Sequence, residues 1–458
     1  MNISEDDIQN EFSKLKDDDD VISCKYIEGG VRFTVSGIKC CCANTWESPV
    51  IITNKEINDN FCSPVDGKDN FYDLMILRRK RLFLGLNNKL NVDIGDCSHC
   101  DLRYKTKFKD ISFDYLGAPG MLSSGFNISH FSYCNLRCKY CVYTQQNSFV
   151  KPQYHEIINF VNEFKKRNKI RPGIWIEYNG GEPTLLPNFG EILNFLVKNS
   201  VGDVCVFSNG VKYNQDLADC LSNDKCYLTT SIDAGTPETY QKIHGRDYFN
   251  KVIENCIKYR NTGTHRLFLK YIITEDNKND RDLLMFVLLM SVIRPDQIYI
   301  CPEFPYGDAE IPDDSSDFAA KMWYMLRTYL GKDPYIQTDD MKANPKFKVF
   351  SDLVRDKFKK LYQNLVNCSS LLPNGYELRI ANNCNLQKIT NLTEANSKLS
   401  SDNSKLRVLL SELLDPYVVY PNNKLLQLIF SKIKSKKTGI REINILGIIH
   451  FKYGKNKK

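Results

Sequence analysis

FSYCNLRCKYC, residues 131–141, places Cys134, Cys138 and Cys141 at the spacing C-x3-C-x2-C on a loop without β-branched residues. Three thiolates on so short a loop can converge on one centre. Soft sulfur selects iron-sulfur clusters, zinc or copper(I), and three cysteines on a [4Fe-4S] cube leave one iron free of protein ligands. Structural zinc closes its tetrahedron with a fourth Cys or His at short range. The nearest histidine, His130, falls on the strand-like run before the loop, so the iron-sulfur reading leads.

The chain around this loop alternates in texture. From 125 to 302, strand-like runs at 126–131, 173–178, 204–207, 227–232, 267–274 and 297–301 are separated by helix-like runs at 153–168, 189–198, 215–222, 237–259 and 281–292. Six strand-then-helix units predict an α/β fold with a parallel sheet and right-handed crossovers, as an open doubly wound sheet or a curved partial barrel. In both, ligands sit at the carboxyl ends of the strands, where the cysteine loop falls.

Three more motifs occupy the next three strand ends. NGGEP sets Gly180, Gly181, Glu182 and Pro183 after the second strand, SNG sets Ser208 and Asn209 after the third, and SIDAGTPETY sets Ser231 and Asp233 at the end of the fourth. Singly, each has a plain reading: Gly-Gly as a turn with positive φ, SNG as a strand-to-helix turn, Asp233 as a turn residue, and Thr236-Pro237 as an N-cap with a first-turn proline.

Jointly, four motifs in order resemble the radical S-adenosylmethionine (radical SAM) superfamily over residues 120–305, including the aromatic Tyr140 before the third cysteine. The resemblance implies a partial (β/α)6 TIM-type barrel with a [4Fe-4S] cluster on Cys134, Cys138 and Cys141. It implies S-adenosylmethionine (SAM) contacts from Tyr140, Gly180, Gly181, Glu182, Pro183, Ser208, Asn209, Ser231 and Asp233. It further implies reductive cleavage of SAM to a 5'-deoxyadenosyl radical that abstracts hydrogen, with electrons from a flavodoxin- or ferredoxin-type donor. Lys270 on the fifth strand and Glu303 after the sixth are further candidates whose direction alternation leaves open.

Seventeen cysteines, an odd number in clusters, argue against a secreted disulfide framework. Residues 21–120 read as a small cysteine-rich α+β module. Cys40, Cys41 and Cys42 end the strand-like VRFTVSGIK, and Cys97 and Cys100 form a C-x2-C behind a helix-like run containing RRKRLFLGL. This layout resembles the auxiliary SPASM or twitch modules of radical SAM enzymes, although those usually follow the barrel. It implies an auxiliary [4Fe-4S] cluster on ligands among these five, with Cys24, Cys62 or His99 completing the set; structural zinc or free buried thiols are the alternatives. Cys205, Cys220, Cys226 and Cys256 fall inside strands or helices and read as core.

Residues 1–20, within the acidic start, read as a frayed tail or a short solvated helix, 121–305 as the radical SAM domain, 306–390 as a helical C-terminal region, and 391–458 as a polar linker and basic tail. Lys and Arg number 62 against 55 Asp and Glu, a net +7. Residues 431–458 alone carry +8, leaving the body at −1, without the concentrated basic face that nucleic acid needs. The acidic start lacks the basic region of a signal peptide, and the longest nearly apolar run, 283–293, is too short to span a bilayer. A cytoplasmic protein with no transmembrane span is expected.

A small-molecule, glycan or peptide substrate is expected. The basic end, KSKKTGIREINILGIIHFKYGK, resembles tails of proteins from bacterial surface-polysaccharide loci and points to a sugar or nucleotide sugar. The SPASM resemblance points instead to peptide or protein side chains. Cys301, beside the end of the sixth strand, reads either as packing or as a hydrogen-atom donor to the opposite face of the substrate. A non-enzymatic iron-sulfur or zinc scaffold or redox sensor accounts for the cysteines, but not for the strand-end motifs.

Overall fold

The computed structural model describes residues 3–41, 48–61, 71–117, 125–150, 157–199, 201–303, 310–336, 345–371, 430–434, 441–445 and 449–453. The chain opens with α1 (Glu5–Ser13), β1 (Asp20–Ser23), α2 (Lys25–Gly29), β2 (Val31–Thr34), β3 (Gly37–Lys39), β4 (Val50–Thr53), α3 (Asn54–Phe61), α4 (Phe71–Leu86) and β5 (Tyr104–Lys107). The strand-helix alternation follows: β6 (Phe126–Ser129), α5 (Val142–Gln145), α6 (Ile157–Lys166), β7 (Trp175–Tyr178), α7 (Phe189–Lys198), β8 (Asp203–Phe207), α8 (Gln215–Ser222), β9 (Cys226–Ser231), α9 (Pro237–His244), α10 (Phe249–Arg260), β10 (Leu267–Ile273), α11 (Asp280–Ile293) and β11 (Gln297–Pro302). Then come α12 (Asp313–Leu330), β12 (Tyr335–Ile336), α13 (Pro345–Leu371), β13 (Phe430–Lys434), β14 (Arg441–Ile445) and β15 (Ile449–Tyr453).

The six expected strands lie side by side, in sequence order and parallel, as a partial barrel. Every second residue faces the helices: Ile128, Ile176, Val206, Leu228, Leu269 and Ile300 are all fully buried, which a parallel sheet covered by crossover helices requires. The alternate set faces the interior. There the Asn127 amide donates to Glu177 Oε2 at 2.8 Å, and Cys205 Sγ lies 3.4 Å from Thr229 Oγ1. Near the amino end, Trp175, Tyr227, Phe268, Tyr299 and Tyr335 form a row with ring centroids 5.0–5.7 Å apart. Side chains at that end of such a barrel serve stability, while the carboxyl end carries the chemistry.

The sheet does not stop at six strands. β12 adds in parallel beside β11, and β2 adds in parallel beside β6, followed by antiparallel β3 and β4. Strands of the cysteine-rich segment therefore share a sheet with the barrel.

Three local expectations change. The single helix expected over 237–259 is two, because Gly245 takes φ +69° and ends α9 in a left-handed cap. Of its two readings, the acidic start takes the short helix, α1, closed by a capping box of Ser4 and Asp7, but packed rather than solvated. Its Ile8 is only 1% exposed, and Phe12 packs edge-on against Phe83, Phe108 and Phe113. The basic end, read as a tail, carries β13, β14 and β15 as an antiparallel sheet. Residues 391–415 lie outside the described residues. No helix among the described residues is long and apolar enough to cross a membrane.

Candidate active site

The cysteine loop leaves β6 and is held by elements distant in sequence. Amides of Arg137 and Lys139 donate to the His244 and Ile243 carbonyls at 3.0 and 2.9 Å, so the loop takes up the free carbonyls at the end of α9. Leu136 N–H donates to Cys134 Sγ at 3.4 Å, and Asn209 Nδ2 lies 3.6 Å from the same sulfur. Burial pushes the Cys134 thiol up to about 11, with these donors opposing. Burial also raises Cys138. Both must therefore lose a proton when a metal binds.

The glycine turn is fixed by backbone contact. Gly181 N–H donates to Phe131 O at 3.0 Å and Glu182 N–H to Tyr133 O at 2.9 Å. A Cβ at Gly181 would lie 2.1 Å from Tyr133 O, and one at Gly180, at φ +104°, 2.7 Å from Phe131 O. Only glycine lets the turn lie against the cysteine loop. Glu182 is buried, and its carboxylate accepts from Thr184 N and Oγ1 at 3.1 and 2.6 Å, Ser208 Oγ at 2.8 Å and Asn209 N at 2.6 Å. Burial raises its pKa while these donors oppose the rise. Glu182 thus ties the second strand end to the third, and Asn209 Nδ2 links onward to Asn135 Oδ1 at 2.7 Å.

The fourth strand end anchors Tyr140. Its hydroxyl donates to Asp233 Oδ2 at 2.6 Å, and Asp233 Oδ1 accepts from Ile272 N at 2.7 Å. Asp233 is fully buried at φ +54°, and burial pushes its carboxyl up to about 7. His244 Nε2 lies 3.0 Å from Ile232 O and Nδ1 3.0 Å from Cys138 Sγ. With a carbonyl partner Nε2 carries the proton, so Nδ1 faces the Cys138 thiol as acceptor. Burial holds His244 down to about 4.

These parts border one open cleft, lined by Cys134, Cys138, Tyr140, Cys141, Gly180, Gly181, Glu182, Ser208, Asn209 and Ser231. Pro183 is buried in the turn beyond Glu182, and Asp233 stands behind Tyr140 rather than on the cleft wall. His244, Tyr143, Phe149 and Thr229 also line it and were not singled out in the sequence; a lone histidine at a helix end carries no spacing signal. The donor set fits an iron-sulfur cluster: three soft ligands on one loop, beside a backbone surface kept free of side chains by Gly-Gly.

A second hollow lies in the amino-terminal segment, bordered by Cys24, Cys40, Cys41, Cys97 and Cys100. Burial pushes Cys24 up to about 11 and Cys40 and Cys97 up to about 12. Cys41 interacts electrostatically with Cys24, Cys97 and Cys100, and Cys40 with Cys24, Cys41 and Cys97 as well as with the buried guanidinium of Arg79. His99 is not on the lining of this hollow; Cys42 and Cys62 lie outside the described residues. Among the described residues no three metal-ligating side chains close on a single-ion position. Cys205, Cys220, Cys226 and Cys256 are buried, as core residues should be. Cys301 is buried on the interior face, where burial raises its thiol and the adjacent Lys270 opposes that. Glu303 is exposed beyond β11.

The profile of the Radical SAM superfamily matches residues 128–288. A cysteine-type anaerobic sulfatase-maturating enzyme of Clostridium novyi is 32% identical over 163 residues, covering 32% of this chain and 42% of that one. A GTP 3',8-cyclase of Haemophilus influenzae is 25% identical over 159 residues, 34% of this chain and 46% of that one. Streptococcus suis SuiB, solved with bound S-adenosylmethionine, aligns with a TM-score of 0.37 at 12% identity over 46% of this chain and 49% of that chain. The chain spans about half the length of the curated relatives it matches. The cysteine loop, the glycine turn and α9 all fall inside the matched span, and residues 128–288 are a radical SAM domain.

Proposed function

We propose that the chain is an enzyme that cleaves SAM reductively at a [4Fe-4S] cluster on Cys134, Cys138 and Cys141 and takes hydrogen from a peptide or protein side chain. The supporting observation is that the three cysteines border the same cleft as Gly181, Asn209 and Ser231. When bound, cluster and SAM supply one-electron cleavage and the hydrogen-abstracting group; the protein supplies position and a dry, shaped cavity. The loop presents three thiolates and leaves one ligand position to SAM. Gly180 and Gly181 keep the backbone of the turn open to a polar group, and Tyr140, pinned by Asp233, fixes the loop between its second and third cysteines.

The second cysteine set supports an auxiliary [4Fe-4S] cluster on Cys24, Cys41, Cys97 and Cys100, because Cys41 is within electrostatic reach of the other three. Four thiolates leave no open iron, which suits electron relay, with a flavodoxin- or ferredoxin-type donor as the source. Cys301 is the candidate hydrogen-atom donor on the interior face. The peptide reading follows the Clostridium novyi relative, named for maturing a sulfatase. The sugar reading is not carried forward: neither curated relative above is named for a surface glycan, and within the basic end that suggested one, Phe430–Lys434, Arg441–Ile445 and Ile449–Tyr453 form strands. A non-enzymatic scaffold leaves the four-donor knot on Glu182 without a purpose.

The test is electron paramagnetic resonance of the reconstituted, dithionite-reduced protein with and without SAM. SAM should change the cluster signal in the wild type and have no effect in Cys134→Ala; a wild-type signal indifferent to SAM contradicts the proposal.

A further inference from the structure

We infer that Lys270 seats an oxyanion, a carboxylate or phosphate group carried by the substrate; this rests on the proposed radical reading of the cleft. Lys270 lies on β10 between Leu269 and Tyr271, both fully buried, the latter with its ring 4.7 Å from Phe286 of α11. Alternation turns Lys270 to the interior. Its pairing partners are Ser231 on β9 and Tyr299 on β11. Ser231 and Thr229 form part of the cleft wall, so Lys270 continues that wall one strand further, towards the carboxyl end from the aromatic row.

The side chain is half-buried, and among the described residues no carboxylate approaches its Nζ within ion-pair distance. Lys25, Lys139 and Lys278, by contrast, pair with Glu28, Asp276, and Glu275 with Asp314. The interior carboxylates Glu177 and Asp233 are hydrogen-bonded to other donors. Glu177 Oε2 accepts from the amides of Asn127 and Asn179, and the two oxygens of Asp233 accept from Tyr140 and Ile272. The Lys270 charge acts both on Asp233 and on the Cys301 thiol, opposing the rise that burial imposes on each. Among the described residues no carboxylate closes an ion pair with this interior ammonium, so an oxyanion entering the interior meets an opposite charge there. The seat then holds the substrate beside Cys301 while the rest extends towards the cleft.

Acetylation footprinting of the iron-loaded, SAM-bound protein under argon tests this, with the labelling rate at Lys270 read by peptide mass spectrometry. Acetate and inorganic phosphate are the probes, at an ionic strength held constant with chloride. The expected result is a saturable loss of Lys270 labelling with no change at Lys25. Protection by acetate alone identifies a carboxylate-bearing substrate, protection by phosphate alone a phosphorylated one, and protection by both a general oxyanion seat. Labelling indifferent to both probes overturns the inference. So does protection that vanishes in Cys301→Ala, which would assign it to the thiol. Assaying 5'-deoxyadenosine in the same preparation separates the two readings: no release with protection intact defeats the radical reading and spares the seat, and the converse defeats the seat alone.

Discussion

Asp233 and His244 sit 3.6 Å apart and pull stability in opposite directions with pH. Asp233 is raised from 3.8 to about 7, so its contribution is complete below 3.8 and lost as pH rises towards 7. His244 is lowered from 6.5 to about 4, so its contribution is complete above 6.5 and lost as pH falls towards 4. In cluster-free protein the two slopes offset each other. Asp233→Asn removes one, and chemical denaturation should then show stability rising from about pH 4 to 6.5; a falling profile contradicts the burial assignment. Glu182→Gln places an amide NH2 against the donors of Thr184, Ser208 and Asn209, and should cost about 2 kcal/mol in the same assay. The motif residues were legible in the sequence. Their bonds were not, because Glu182 is satisfied by the third strand end and Tyr140 by the fourth, partners that only the register brings near.

The cysteine loop and the end of α9 form one unit: the loop amides close the helix, and Gly245, whose added Cβ would lie 2.9 Å from Arg137 O, lets them meet. On the other side the glycine turn meets the same loop. Gly181→Ala should therefore displace the loop and lower iron bound at the first site while leaving the second loaded, as read by iron and sulfide analysis of the reconstituted protein. Helix α1 offers a separate test. Ile8→Ala should cost about 3 kcal/mol in denaturant titration, as for other buried Ile-to-Ala truncations, where a solvated tail would show no change. The sequence allowed a short solvated helix here but hid its packing, because Ile8, Phe12 and Leu15 are too few, among many acids, to register as an apolar face. It also hid the break at Gly245, since helix-like residues continue on both sides and the left-handed cap is set by contact with the loop.

Across the whole molecule one sheet carries the strands of both cysteine-bearing segments, β2 pairing directly with the β6 strand that feeds the cysteine loop. The order of strands and helices from β6 to β11 was readable because alternation, turn residues and strand-end motifs agree. The addition of β2–β4 to the same sheet was not, since a run of four residues gives no sign of its neighbour. If both cysteine sets bind cubane clusters, reconstituted protein should hold about eight irons per chain, and Cys97→Ser or Cys134→Ala alone about four. Near four in the wild type would remove the auxiliary site and leave the first. The most direct test is to reduce anaerobic, iron-loaded protein with dithionite, add SAM and quantify 5'-deoxyadenosine. Time-dependent release that is absent in Cys134→Ala, Cys138→Ala and Cys141→Ala is the predicted result; no release from fully loaded wild type contradicts the account.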